Sequence, residues 1–215
     1  FDGSSLDFWV SGGHKWMLGP EGTGFLYVNP NILNQLLPSF VGWLSLENPL
    51  DFLFDGPGHL NYHRPFSSTS NRFELGTHNT IGLAGLRRAC EELEAVGITQ
   101  VYEHIQTFFD ALEPRLQNLG FESLRHKSTS ARSTILSFSA HPTTPHAELL
   151  RDALKAQIVV TAPDGCLRIA PHYWNPLSQV DLPVFLHGEC VPRQLELVGR
   201  DGEGEDARHF VGGSL

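Results

Sequence analysis

The 215-residue sequence predicts an α/β protein. Apolar residues recur at helical spacing over residues 80–119, short aromatic and β-branched segments lie on both sides of that stretch, and glycine or proline separates the segments. With 40% hydrophobic residues the chain has enough apolar side chains for a packed core. Its length allows one large or two small domains.

The first part of the sequence predicts two strands, a long connection and a short helix. We expect buried strands over residues 7–10 and 24–28, because each is a short apolar run. The glycine-rich connection between them is longer than a hairpin requires. A short helix is predicted between Pro30 and Pro38. Residues 40–73 mix glycine and proline with large aromatic residues, which predicts an ordered loop that forms one wall of a site.

Two consecutive helices are predicted in the middle of the chain. The first covers Thr80–Val96 and ends at Gly97, and the second covers Ile98–Leu119 and ends at Gly120. Pro114 is a candidate kink in the second helix. The positions expected to face the core of the second helix are Val101, Ile105, Phe108, Phe109, Leu112 and Leu116.

The pattern changes after residue 120, where strands and helices become short. Strands are predicted over residues 134–139, 158–161 and 166–170, a helix over residues 145–156, and a weak helix over residues 180–186. We place a domain boundary near residue 120, which gives domains over residues 1–120 and 121–198. The acidic, glycine-rich residues 199–215 are expected to be disordered.

Composition excludes several classes of function. The net charge of −9 with 15 Lys+Arg argues against nucleic-acid or membrane-surface partners, because the chain has no basic run to neutralise phosphates. No apolar stretch is long enough to span a bilayer, and no signal peptide is recognisable, so we expect a cytoplasmic protein. The three cysteines, Cys90, Cys166 and Cys190, form neither a metal-ligand spacing nor a disulfide framework.

Lys15 is the leading candidate for a chemical residue. It is one of three lysines in the chain, and it lies among Gly12, Gly13, Gly19, Gly22 and Gly24, which allow a sharp turn and close approach to a ligand. Trp16 and Met17 are expected to keep its amine partly dry, which lowers the pKa and favours attack on a carbonyl to form a Schiff base. The alternative is an ordinary lysine in a turn between two strands.

Three ordered motifs resemble a known enzyme family. The segment 7–28, DFWVSGGHKWMLGPEGTGFLYV, is similar to the cofactor-lysine motif of the class V aminotransferase family of pyridoxal-phosphate enzymes, which includes cysteine desulfurases and isopenicillin N epimerases. The segments 71–79, NRFELGTHN, and 165–175, GCLRIAPHYWN, agree with the family in the same order. The resemblance covers roughly residues 5–187 and implies the C-terminal part of the fold-type I large domain followed by its small α/β domain.

The resemblance implies specific roles on the cofactor side. Lys15 matches the Schiff-base lysine, and His14 matches a residue that helps hold the cofactor phosphate. Ser11 is a further phosphate contact, although the family hydroxyl lies at the position occupied here by Gly12. Gly76–Thr77 matches a segment that reaches the phosphate of the other subunit, which implies a homodimer. The alternatives are a histidine that packs under Trp16, and a helix cap at Thr77 or Asn79.

Arg168 is the candidate substrate residue. A guanidinium in a short apolar strand needs an anionic partner, and the family uses an arginine at this position to bind the carboxylate of an amino acid. The alternative is an ion pair with an acidic residue of the same domain. The resemblance leaves transamination, epimerisation and elimination open. We rank desulfuration low, because the cysteine that desulfurases carry ahead of this strand is missing from residues 158–165.

Two other readings remain beside the enzyme. Family members carry about half of their chain ahead of the lysine motif, so we expect a truncated chain that is inactive by itself, or an inert relic that only dimerises or binds a partner. His59 and His63 are spaced like helix-borne zinc ligands, but the glycines and prolines around them disfavour a helix. A zinc hydrolase is therefore the weakest of these hypotheses.

Overall fold

The computed structural model describes residues 5–59, 61–139 and 143–181. Its chain divides into two compact units, residues 1–95 and residues 96–215. The predicted boundary near residue 120 stays a prediction, and the tail at residues 199–215 lies outside the described residues, as does most of the weak helix predicted over residues 180–186.

The first unit begins with an antiparallel pair of strands, β1 (Phe8–Gly12) and β2 (Gly24–Val28), in which Phe8 lies opposite Val28. The prediction that both strands are buried is wrong for this chain. Val10 is 70% exposed and Phe8 is 50% exposed, because the described sheet has two strands and its faces remain largely uncovered. Most apolar side chains of this pair therefore do not reach a core.

Helix α1 (Pro30–Leu33) is shorter than the helix predicted between Pro30 and Pro38. The chain continues from it in turns, and the carbonyl oxygens of Leu33 and Leu36 accept hydrogen bonds from the guanidinium of Arg72, at 2.8 and 3.2 Å. These carbonyls are satisfied by a side chain from outside the helix, so the helical ladder ends early.

The loop predicted over residues 40–73 is ordered by short elements. It contains a 3-10 turn at Trp43–Ser45, helix α2 (Asp51–Phe54) and a 3-10 turn at Ser70–Phe73. Leu46 and Phe66 form an isolated antiparallel bridge, and Arg64 pairs with Asp51 at 2.7 Å. The proline and glycine content of this stretch therefore serves defined turns.

The first unit ends in helix α3 (Thr80–Val96), and the second unit begins with helix α4 (Ile98–Asn118). Both helices agree with the predicted limits to within one residue. Gly97 joins them with φ of +91°, a left-handed conformation that glycine adopts without strain. All six core positions predicted for α4 are buried. Pro114 lies within the continuous helix.

The second unit builds its sheet from short antiparallel segments. Strands β3 (Leu136–Phe138) and β4 (Leu167–Ile169) pair with each other, with helix α5 (His146–Lys155) between them in sequence. The strand predicted over residues 158–161 is wrong, since only Thr161 forms a bridge, to Arg168. The core contains side chains that are at most 1% exposed, namely Val101, Ile105, Phe109, Leu136 and Phe138.

Candidate active site

The connection between β1 and β2 is a closed loop that carries Lys15. The Gly13 amide donates to the carbonyl oxygen of Thr23 at 2.7 Å, and the Gly19 amide donates to the carbonyl oxygen of Gly13 at 2.8 Å. Lys15 starts a tight turn within this loop, closed by the Leu18 amide, which donates to the Lys15 carbonyl oxygen at 2.9 Å. The backbone around the lysine is therefore fixed by its own hydrogen bonds.

The shielding expected for Lys15 is not found among the residues that the structure describes. Its side chain is exposed, while Trp16 and Met17 are half-buried. The apolar cover that the sequence predicts from Trp16 and Met17 therefore does not enclose Lys15. A dry environment for Lys15 would have to come from atoms outside the described chain.

The glycines of the lysine loop have a packing function that the sequence did not indicate. A Cβ added to Gly13 would lie 2.8 Å from a methyl carbon of Leu86, and one added to Gly19 would lie 2.6 Å from the same carbon. Leu86 belongs to α3, whose Gly85 faces Pro20 of the loop in the same manner, at 2.7 Å. These glycines let the loop lie directly on α3, because a larger side chain would separate the two backbones.

The two phosphate candidates beside the lysine are only partly engaged by the protein. The hydroxyl of Ser11 makes long contacts, 3.4 Å to the carbonyl oxygen of Gly12 and 3.7 Å to the sulfur of Met17. The imidazole of His14 lies against Gly12, where an added Cβ would be 3.3 Å from its Cε1. Neither side chain is fully buried. Both are therefore within reach of solvent and of a ligand.

The segment Gly76–Thr77 precedes α3 and offers unused hydrogen-bond donors. The cap of α3 is Asn79, whose Oδ1 accepts from the Gly82 amide at 3.0 Å. This settles the alternative that the sequence left open, because Thr77 does not cap the helix. Within the described part of the chain, neither the Thr77 hydroxyl nor the amides of Gly76 and Thr77 have a hydrogen-bond partner. Donors ahead of a helix N-terminus suit an anion.

The lysine loop and this segment meet at the first turn of α3. A Cβ added to Gly82 would contact the Asn79 side-chain amide and lie 2.7 Å from the Thr23 methyl group. Thr23 closes the lysine loop and Asn79 ends the donor segment, so one helical turn supports both. The first unit thereby places the two predicted cofactor segments on a common support.

Sequence reasoning missed the structural importance of Arg72. This residue is 7% exposed, and its Nε donates to the carbonyl oxygen of Ser67 at 2.9 Å. Together with the bonds to Leu33 and Leu36, it ties the turn ahead of Gly76–Thr77 to the end of α1. The sequence contained a signal for this role, because Arg72 lies next to Phe73 in the motif from which only Gly76 and Thr77 were predicted as site residues.

Arg168 lies in the second unit, in the interior of β4. Its backbone pairs with Ser137 on one side and with Thr161 on the other, and its Nε is buried without a hydrogen-bond partner. The alternative of a structural ion pair finds no support, since within residues 5–59, 61–139 and 143–181 no carboxylate lies within 4.0 Å of its guanidinium. A buried, unpaired donor is costly, and an external carboxylate would satisfy it.

A cavity of about 190 Å³ lies in the second unit on the other side of β4. Its lining is mostly apolar and includes Phe108, Leu149, Leu167 and Ile169. Because side chains alternate along a strand, Leu167 and Ile169 point away from the side on which Arg168 projects. This cavity is therefore separate from the candidate carboxylate site.

Comparison with known proteins gives the family of this chain. The family model of class V aminotransferases matches residues 2–177. The chain belongs to the class V aminotransferase family. A probable cysteine desulfurase of Borreliella burgdorferi is 26% identical over 189 residues, which are 81% of this chain and 43% of that protein.

Solved structures show the same fold. The cystine C–S lyase C-DES, in complex with cysteine persulfide, has a TM-score of 0.68 and 24% identity, over 82% of this chain and 45% of its own. The cysteine desulfurase CsdA of Escherichia coli has a TM-score of 0.66 and 25% identity, over 82% of this chain and 44% of its own. The fold is thus that of fold-type I enzymes, and this chain spans less than half the length of each relative.

Class V aminotransferases use pyridoxal phosphate, and the residues of this chain fit that cofactor. The first unit provides a primary amine on Lys15 and unused donors at Gly76–Thr77 for a phosphate, and the second unit, taken by itself, provides the buried Nε of Arg168 for a carboxylate. Within the described ranges no cluster of three metal-ligating side chains occurs, and no helix is long and apolar enough to cross a membrane.

Proposed function

We propose that this chain supplies the lysine-bearing and arginine-bearing part of a pyridoxal-phosphate enzyme that acts on an amino acid. One observation carries the proposal. A single turn of α3 supports both the Lys15 loop and the segment Gly76–Thr77, whose donors have no hydrogen-bond partner among the described residues. A phosphorylated aldehyde requires both an amine and an anion-binding segment, and in a homodimer this support would present the amine to one site and the anion-binding segment to the other.

Each candidate residue then has a defined task. Lys15 attaches the cofactor covalently, and His14 and Ser11 hold its phosphate, while Gly76 and Thr77 hold the phosphate of the cofactor in the other subunit. When bound, pyridoxal phosphate supplies an electron sink for bonds at the α-carbon of an amino acid. The Lys15 amine would accept the proton of that carbon as a general base.

Arg168 orients the substrate in this proposal. Its planar guanidinium matches the two oxygens of an α-carboxylate, and a bidentate pair fixes the plane of the substrate as well as its position. The buried Nε supports this role, because its missing hydrogen bond is one that a carboxylate oxygen would complete. The second unit thus contributes recognition of the carboxylate, and the first contributes the covalent chemistry.

Among the family reactions we favour transamination, epimerisation or elimination over desulfuration. Matched relatives carry the name cysteine desulfurase, yet residues 158–165 of this chain contain no cysteine to receive sulfur. Cys166 follows directly but lies next to β4, two residues from Arg168. Conversion of cysteine to alanine by the loaded protein in the presence of a thiol reductant, lost in a Cys166→Ser variant, would contradict this ranking.

We further propose that the protein acts as a homodimer, since the Gly76–Thr77 segment of the family reaches the phosphate of the other subunit. Exposed apolar side chains in the first unit support this proposal, because a second subunit would cover them. Leu37 and Phe54 are each 80% exposed, and Phe40 is 76% exposed. Sedimentation analysis of the wild type and a Phe40→Ser/Phe54→Ser variant tests this, with a dimer expected only for the wild type.

A second candidate is an inert relic that binds a partner without catalysis. It is favoured by the exposure of Lys15. Such a protein would retain the fold and the exposed apolar surface but would not bind the cofactor. The two candidates therefore differ in one measurable property, which is covalent capture of pyridoxal phosphate at Lys15.

Borohydride reduction after incubation with pyridoxal phosphate tests the proposal. We expect mass spectrometry to find the pyridoxyl group on the peptide that contains Lys15, and to find none on the same peptide in Lys15→Ala. Lys155→Ala is the matched control, because Lys155 is an exposed lysine paired with Asp152 at 2.8 Å. Equal labelling of Lys15 and Lys155 in the wild type would indicate random surface modification and would favour the relic.

A further inference from the structure

We propose that Ser45 is a positioning residue for the phosphate-binding segment Gly76–Thr77. The inference rests on the proposed function, and it adds a residue that none of the three sequence motifs contains. Ser45 would act through the backbone of residues 74–76, by holding that backbone where the donors of Gly76 and Thr77 can meet a phosphate.

Ser45 is completely buried and is the centre of a hydrogen-bond network. Its hydroxyl donates to the carbonyl oxygen of Glu74 at 2.7 Å and accepts from the Gly42 amide at 3.0 Å. Its own carbonyl oxygen accepts from the Ser67 amide at 2.9 Å. One small side chain therefore links two backbone segments that lie 29 residues apart in sequence.

The surrounding backbone leaves little room for movement. A Cβ added to Gly42 would overlap the carbonyl oxygen of Leu75, so the two backbones are in direct contact. A Cβ added to Gly76 would lie 3.3 Å from Nε1 of Trp43. Residues 42–45 therefore contact three consecutive residues, 74–76, immediately ahead of Thr77.

Other hydrogen bonds hold the segment at each of its two ends. Asn79 caps α3 through the Gly82 amide, and the Glu74 amide donates to the carbonyl oxygen of Asn71 at 2.9 Å. Between these points the donors of Gly76 and Thr77 have no partner within the described residues. Loss of the Ser45 hydroxyl would remove one of the two bonds that hold the Glu74 end of this short span and would leave the cap in place.

Comparison of pyridoxal phosphate with pyridoxal isolates the effect on the phosphate. The two compounds share the aldehyde, so their affinity ratio measures what the phosphate contributes. We expect Ser45→Ala to lower this ratio about fivefold, because the loss of one hydrogen bond leaves the phosphate-binding backbone less well positioned. Ser67→Ala is the matched control, because the Ser67 hydroxyl bonds only within its own turn, to Thr69. It should leave the ratio unchanged.

Hydrogen exchange tests the positioning without any cofactor. Ser45→Ala should accelerate exchange of the amides of residues 75–77 while those of α3 remain protected. Ser45→Cys places a slightly larger and weaker donor at the same position, and if Ser45→Ala does not fold, this variant should show a smaller change in the same direction. The inference would be overturned if Ser45→Ala weakened the binding of pyridoxal phosphate and of pyridoxal equally, or if hydrogen exchange at residues 75–77 did not change. Absence of any phosphate preference in the wild type would instead overturn the proposed function.

Discussion

The two units of this chain are stabilised in different ways. The second unit surrounds Phe109 and Phe138 with apolar side chains until both are fully buried. The first unit relies on close backbone contacts at Gly13, Gly42 and Ser45, and its strands remain largely exposed. A packed apolar core tolerates loss of surface contacts, whereas a framework of backbone contacts depends on each small residue. The cofactor candidates lie on the second kind of framework.

The largest expected effect is on the core of the second unit. Phe109→Ala should lower the free energy of unfolding of that unit by about 3–5 kcal/mol, because it removes a fully buried ring and leaves a cavity. Urea unfolding monitored by hydrogen exchange in each unit would measure the loss. Leu154→Ala is the control, since Leu154 lies on α5 with 66% exposure and should change little. Equal destabilisation of the first unit would contradict the distinction between the units.

A smaller loss of stability is expected when the close contact between α3 and the lysine loop in the first unit is disturbed. Gly85→Ala puts a methyl group 2.7 Å from the Pro20 ring, and the strain should cost about 1–2 kcal/mol after the gain in helix propensity. Urea unfolding of the variant, with borohydride labelling of Lys15 as a second measurement, would detect it.

The double variant Gly85→Ala/Pro20→Ala provides the matched control for this contact. It removes the ring that the new methyl group would meet, so stability should return to that of Pro20→Ala or exceed it. Additive losses in the double variant would mean that α3 and the lysine loop are not in the contact described above.

The smallest effect concerns a charged cluster on α4. Burial raises the pKa of the Glu113 carboxyl, but hydrogen bonds from Ser123 and Arg125 and the charge of Arg125 outweigh it and hold the pKa below its ordinary value of 4.5. A lowered pKa stabilises the fold above pH 4.5, and the stabilisation is lost as the pH falls from 4.5 through the folded-state value.

Glu113→Gln should therefore cost about 1 kcal/mol at neutral pH and progressively less under acid conditions. Urea unfolding at a series of pH values measures the difference between this variant and the wild type. Glu122→Gln, at an exposed carboxylate, serves as the control. A difference that stays constant between pH 7 and pH 3 would show that the carboxylate is not stabilised by its partners.

The sequence predicted the parts of this fold that depend on local pattern. The limits of α3 and α4 and the core side of α4 follow from a 3.6-residue period that continues over ten turns, with glycine at the junction. Short segments were less reliable, because a run such as residues 158–161 forms a strand only where a partner is in register. The cofactor lysine, the Gly76–Thr77 segment and Arg168 were found as motifs, without knowledge of their surroundings.

What the sequence determined by itself was the family, the long helices and the chemical identity of the candidate groups, since these are set by residue type and spacing. Only the tertiary structure decided that Asn79 caps α3, that Ser45 reaches Glu74, that the loop glycines pack on Leu86 and that Lys15 is exposed in this chain. These features depend on contacts between distant segments, and no local pattern encodes which atoms will meet.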